Sequence, residues 1–209
     1  MGERAVLIKF GSCEHVSRFR DEGLLYMNTL SFFWNVEDEE LRGDKCDCLV
    51  AMDRGTSGSV MPLNGEKLEV TNWTAVREPP NPEKINLFCM YALRQSTFPV
   101  DAKNFGFGDH AVIVTNVPEF IDRVRSYIID NKLAASCNLL KYVDPYSGEM
   151  GPFRKLKNFA YQSEWRVVCK DGPGGVREER IGSIRDISII MPSTEVNNWA
   201  ETIGVFGTQ

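Results

Sequence analysis

No stretch of this sequence approaches the roughly 18 consecutive apolar residues that a membrane-spanning helix requires. Its opening, MGERAVLIKF, also lacks the layout of a secretory leader. The expectation is a cytoplasmic, reduced protein with no membrane partner. Positive charge is in short supply: 24 Lys and Arg face 29 Asp and Glu, a formal charge of −5. That excludes wholesale electrostatic wrapping of nucleic acid and leaves room only for a local basic patch. Internal repeats and low-complexity tracts are missing. So is the C-x2-C spacing of zinc ribbons and fingers, because Cys13, His15, Cys46 and Cys48 make only a C-x-H and a distant C-x-C, and no metal is expected. Cys89 and Cys169, inside LFCMYAL and WRVVCK, read as small core hydrophobes.

What is present suits one globular domain over residues 1–209, with 43% hydrophobic, 25% charged and 11% aromatic residues, enough for a core of its own. Ala5 to Phe10 reads as a buried first strand. Ser12 then caps a short helix with Val16 and Phe19 facing inward, and Gly23 stops it. Leu24 to Asn28 is a second strand, followed by three aromatics, Phe32, Phe33 and Trp34, of which two are expected in the core. Val36 to Asp47, VEDEELRGDKCD, carries six acids and two bases and reads as a solvated surface. Cys48–Met52 and Lys67–Thr71 read as strands joined by a Gly-rich turn. INLFCMYAL is too apolar to face water on either side and is expected to be a central strand. HAVIVTN gives another strand, and Phe120, Val124, Tyr127 and Ile128 share one helical face. ISIIM and a last helix through Trp199 to Ile203 complete the chain. Strands outnumber helices without strict alternation, which indicates an α+β fold with a mixed or split sheet and flanking helices.

Chemistry concentrates in Phe153–Cys169, FRKLKNFAYQSEWRVVC. Here Arg154, Lys155, Lys157 and Arg166 oppose one acid, Glu164, in a chain whose overall charge is negative. If its second half is a strand, the two-residue period places Gln162, Glu164 and Arg166 on one face. That face either delivers an amide and a carboxylate to a cleft, or is a strand with a same-face Glu164–Arg166 ion pair. The cations of 154–157, interleaved with Phe153, Phe159 and Tyr161, either stack and steer a single nucleic-acid strand or form the solvated side of a helical turn. His110 is left without a role.

Three elements then line up: Lys9-Phe10-Gly11 at the end of the first strand, LLYMNTLSFF from Leu24 to Phe33, and YQSEWRV from Tyr161 to Val167. In order and spacing the chain resembles the ADP-ribosyltransferase-like proteins, and more closely a group of bacterial proteins with a late YxxEWR that look like divergent members of that fold. Gln162-Ser163-Glu164 is similar to the Q-x-E signature of one transferase branch. The resemblance implies an ADP-ribosyltransferase-like fold with NAD as co-substrate. It implies Glu164 as the catalytic carboxylate, which holds the ribose hydroxyls and stabilises an oxocarbenium-like centre. Lys9, Gly11, Tyr26, Asn28 and Thr29 would cradle NAD. Gln162 would read the acceptor, with Tyr161, Arg154, Lys155 and Lys157 on the acceptor's path. The chain departs from the classical branches in having Lys9 for Arg or His, and Asn28-Thr29-Leu30-Ser31 for a Ser-Thr-Ser triplet. Lys offers a point charge without a guanidinium fork. The implied activity is ADP-ribosyl transfer to a macromolecule, nucleic acid ahead of protein, by a toxin or antiviral-defence effector with room for an antitoxin partner. The alternatives are an NAD glycohydrolase of the same fold and a non-catalytic binding module.

Overall fold

The computed structural model describes residues 5–36, 43–63, 65–145 and 147–203. These form an α+β arrangement of strands β1 (Val6–Gly11), β2 (Leu24–Thr29), β3 (Ala51–Val60), β4 (Leu68–Arg77), β5 (Asn86–Leu93), β6 (His110–Val114), β7 (Ala135–Leu139), β8 (Lys141–Val143), β9 (Gly148–Glu149), β10 (Arg154–Leu156), β11 (Glu164–Cys169), β12 (Arg177–Arg180) and β13 (Ser188–Pro192). The helices are α1 (Cys13–Glu22), α2 (Leu30–Asn35), α3 (Val117–Asp130) and α4 (Val196–Thr202). None of the described helices is long and apolar enough to cross a membrane.

The main sheet runs β12-β2-β5-β1-β6-β13, with β11 beside β5 and β7 beside β11. As its sequence requires, β5 is the central strand, buried along nearly its whole length. β11 follows one edge of it from Asn86 to Tyr91. On the other edge β2 pairs only with Asn86 and Leu87, and β1 only from Tyr91 to Leu93. The sheet is therefore split at Phe88–Met90, where β1 and β2 part. Alternate residues of β1 serve opposite faces. Leu7 joins Phe19, Phe88, Phe120 and Trp165 under α1 and α3, and Ile8 joins Phe10, Tyr91 and Val196 beneath α4.

The local signals at α1 act as their chemistry suggests. Ser12 Oγ accepts from His15 N, and Gly23 adopts φ 66°. A Cβ at Gly23 would fall 2.0 Å from the Gly182 carbonyl oxygen, so only glycine fits the close approach. β2 does not continue to Phe33. Thr29 Oγ1 accepts from Phe32 N at 3.1 Å, which caps α2 and turns the chain into a helix. Phe33 and Trp34 pack inward, and Phe32 stays 44% exposed.

Three other expectations are corrected. The Gly-rich stretch after Met52 is not a turn, because the β3–β4 ladder continues from Ala51↔Arg77 to Val60↔Leu68. Its glycines make room for an indole: a Cβ at Gly55 or Gly58 would lie 2.7 Å from Trp73. The basic run 154–157 is a helical turn only at Lys157. Arg154–Leu156 form β10, parallel to β8, and Lys157 opens a 3-10 turn over Lys157–Gln162. Of the acidic stretch, residues 37–42 lie outside the described residues, but Asp44 and Asp47 are buried, 5% and 4% exposed, not solvated. The charge of Asp47 is taken up by the buried cations Arg166 of β11 and Lys155 of β10.

Candidate functional site

The site is built where β11 begins. Ser163 sits in the left-handed region at φ 39°, ψ 53°, a conformation that costs a non-glycine residue of order 1 kcal/mol. It is held there by β5: Ala92 N donates to Ser163 O at 2.7 Å, and Ser163 Oγ donates to Ala92 O at 2.8 Å. The turn separates Gln162, the last residue of the 3-10 segment, from Glu164, the first of the strand. Gln162 therefore does not share a pleated face with Glu164. The Glu164 amide donates to Tyr142 Oη at 2.9 Å, and its side chain enters a cleft of about 740 Å³ at the split between β1 and β2.

Gln162 and Glu164 nonetheless meet, through a lysine. Lys155 Nζ donates to Gln162 Oε1 at 2.7 Å and to Glu164 Oε1 at 2.9 Å. Arg166 gives Nη2 and Nε to Glu164 Oε2, at 2.8 and 3.3 Å. On its other side the guanidinium binds both oxygens of Asp47, at 2.7 and 2.8 Å. The same-face ion pair read from the sequence thus exists, as one part of a four-charge cluster in which every member is under 7% exposed. Two acids balance two bases, which is what burial of charge demands.

Electrostatics follows from that balance. Burial alone would raise the Glu164 carboxyl, but Arg166 and Lys155 outweigh it and hold the group well below the usual glutamate range. Asp47 is lowered in the same way, against its own burial, by Arg166 and then Lys155. The Cys89 thiol, facing Glu164 from β5, is pushed up to about 12 by burial and by that carboxylate. Asp44 has no cation bonded to it among the described residues. Burial and the neighbouring Asp47 raise it to about 6, and its Oδ2 has no hydrogen-bond partner among the described residues. At neutral pH the cluster therefore holds an ionised, immobilised carboxylate at the cleft wall, with no proton to give.

The structure brings most of the expected residues to this cleft. Lys9, Gly11, Tyr26, Asn28, Lys155, Gln162 and Glu164 all line it. Lys9 spans the split and donates to the Cys89 carbonyl at 2.8 Å, its ammonium 4.5 Å from the Phe88 ring centre. Gly11 is pressed against Gly108, where a Cβ would come within 2.1 Å of the Gly11 backbone. Tyr26 stacks on His15 with ring centres 6.0 Å apart and remains 40% exposed. Thr29 does not line the cleft and spends its hydroxyl on capping α2. The residues assigned to an acceptor's path disperse. Lys155 is internal. Arg154 donates to the Glu149 and Met150 carbonyls at 3.1 Å. Lys157 pairs with Asp144 at 2.8 Å on the surface. Tyr161 borders a second, smaller pocket of about 240 Å³, with the Lys103 ammonium 5.2 Å from its ring.

Sequence reasoning missed Asp47, Asp44 and His15. One signal was available: Arg166 lies inside EWRVVC, a strand too apolar to hold a guanidinium without a buried acid beyond Glu164. No protein-family model, curated protein or solved structure matches the chain.

Proposed function

We propose that the protein is an NAD-dependent ADP-ribosyltransferase in which Glu164 acts on the nicotinamide–ribose bond. One observation carries the reading: an ionised, immobilised carboxylate on β11 opens into the same cleft as Lys9 and Gly11 of β1 and Tyr26 and Asn28 of β2. A cleft of this volume is of the size that takes a nucleotide-like ligand, roughly 300–1,000 Å³. In the step proposed, the bond from ribose C1′ to the nicotinamide nitrogen breaks and its electron pair leaves with nicotinamide. Positive charge develops on the ribose, and a fixed carboxylate that carries no proton stabilises it. An acceptor nucleophile then bonds to C1′ and gives up its proton to water. In the sequence, the cations of 154–157 favour a nucleic-acid acceptor. With Lys155 internal, that support shrinks, and the acceptor proposed is a macromolecule, nucleic acid or protein.

A second reading has its own observation. Both oxygens of Glu164 are engaged by buried cations, which favours a carboxylate that holds the fold together in a non-catalytic binding module. Protein incubated with NAD labelled in its adenylate half, alone and with RNA, single-stranded DNA or cell lysate, separates these readings. Transfer places label on one acceptor, hydrolysis releases nicotinamide without an acceptor, and a binding module releases none. Glu164→Gln, checked for folding by circular dichroism, should abolish release; unchanged turnover in the folded variant would overturn the assignment.

A further inference from the structure

Asp47 belongs to no stretch that the sequence marks as chemical, yet it touches both cations that hold Glu164. Its two oxygens take Nη1 and Nη2 of Arg166, the paired geometry in which two planar groups fix each other's rotation. So held, the guanidinium has Nη2 and Nε turned to the other side, and both reach Glu164 Oε2. Nη1 is fixed further by the Pro152 carbonyl at 3.2 Å. Lys155 Nζ stands 3.7 Å from Asp47 Oδ2 while bound to Glu164 Oε1. The contact joins residues 119 positions apart in the chain, and Nη1 also reaches Cys48 Sγ at 3.3 Å.

We infer that Asp47 is a positioning residue, which orients Arg166 and through it the Glu164 carboxylate at the wall of the cleft. Its bearing on turnover rests on the transferase reading; the positioning itself rests on geometry. A plain charge-balancing role makes the opposite prediction, and this separates the two. If Asp47 only balances charge, Asp47→Asn leaves Arg166 in place, Glu164 feels one negative neighbour fewer, and its pKa falls further. If Asp47 orients Arg166, the guanidinium turns away in Asp47→Asn, burial dominates, and the Glu164 pKa rises. The other groups facing Glu164 are Lys155 from β10, Asp44 and Cys48 beside Asp47, Cys89 from β5 and Tyr142 from β8. The two thiols and the phenol are pushed upward by burial, so they stay neutral through the acid range, while Asp44 titrates within it and is replaced by Asn in a parallel titration.

The experiment is a carbon-13 NMR titration of protein labelled at the glutamate carboxyls, with Glu164 assigned by the resonance that Glu164→Gln removes. In the wild-type chain that resonance should stay in its ionised position down to about pH 4, below which an ordinary glutamate protonates. In Asp47→Asn its midpoint should appear above about pH 4.3, the ordinary glutamate value. A resonance unmoved or shifted lower overturns the inference. Should Asp47→Asn fail to fold, Arg166→Lys decides, since it keeps every charge but lacks the fork: the same upward move is expected, and its absence refutes positioning. In the turnover arm, folded Asp47→Asn should lose ten-fold or more in kcat with KM within two-fold, and unchanged kcat refutes a catalytic consequence. If the wild-type chain consumes no NAD, the transferase reading falls, and the titration alone judges the positioning.

Discussion

Replacing Arg166 by methionine removes a group that hydrogen-bonds to both Asp47 and Glu164, and the structure gives the expected size of the loss. Asp47 and Glu164 would then share Lys155 alone, leaving one carboxylate that is under 7% exposed without a counter-charge. Breaking a buried pair in this way costs about 3–5 kcal/mol, mostly the penalty on the orphaned charge. With a urea m-value of about 2 kcal/mol/M for a domain of this size, the midpoint should fall by roughly 2 M. The loss depends on pH with a definite sign. In the wild-type chain Asp47 and Glu164 are held below their ordinary values, so their stabilisation is present at neutral pH and is lost on acidification through the folded pKa. In Arg166→Met burial raises one of them instead, so the variant is worst at pH 7 and recovers as that group takes up a proton. The gap between the two proteins should therefore narrow from pH 7 to pH 5. Adding Asp47→Asn removes the orphan, so the double variant should be more stable than the sum of the single changes predicts, by about 0.5–3 kcal/mol. A cost below about 1 kcal/mol, or strict additivity, would show that these charges are solvated and that the cluster does not exist as described.

Asp44 should behave in the opposite sense. Its folded pKa is raised from 3.8 to about 6, so its ionisation works against folding, and the protein loses stability as pH rises through that range. Asp44→Asn should gain on the wild-type chain between pH 4 and pH 8, by at most about 3 kcal/mol at roughly 1.4 kcal/mol per pKa unit. That corresponds to about 2–4 °C in Tm per kcal/mol; parallel pH dependences would place Asp44 in water. Gly108→Ala puts a methyl group 2.1 Å from the Gly11 backbone and must push β1 away from the cleft wall. A loss of about 1–3 kcal/mol is expected from overpacking, measurable by thermal melting, and a neutral result would show that the two backbones are further apart.

How much of this could be read in the sequence depends on how far apart the interacting groups lie. The Ser12 and Gly23 signals bounding α1, the apolar run of β5 and the helical spacing of Phe120 and Val124 are local, and each element formed where its pattern placed it. The α+β class followed from the same patterns. Patterns that depend on a neighbour were misread. Glycines at 55 and 58 suggest a turn until Trp73 is known to lie across them. Leu30 to Phe33 read as a continuation of the strand until the Thr29 hydroxyl caps a helix there.

At the site, the chain's own order singled out Gln162, Glu164 and Arg166, because closely spaced residues of one strand-like segment show in a single line of text. It also placed Lys9, Tyr26 and Asn28 on strands that could floor a cleft. It could not show that β1 and β2 part over Phe88–Met90 to open that cleft, since strand pairing joins residues far apart in the chain, Ile8 with Tyr91 and Asn28 with Leu87. Nor could it tell which acids of a charged surface-like segment would turn inward. Asp47's preference for water is overcome by two cations inside the protein, Lys155 and Arg166, and these are placed by tertiary structure alone.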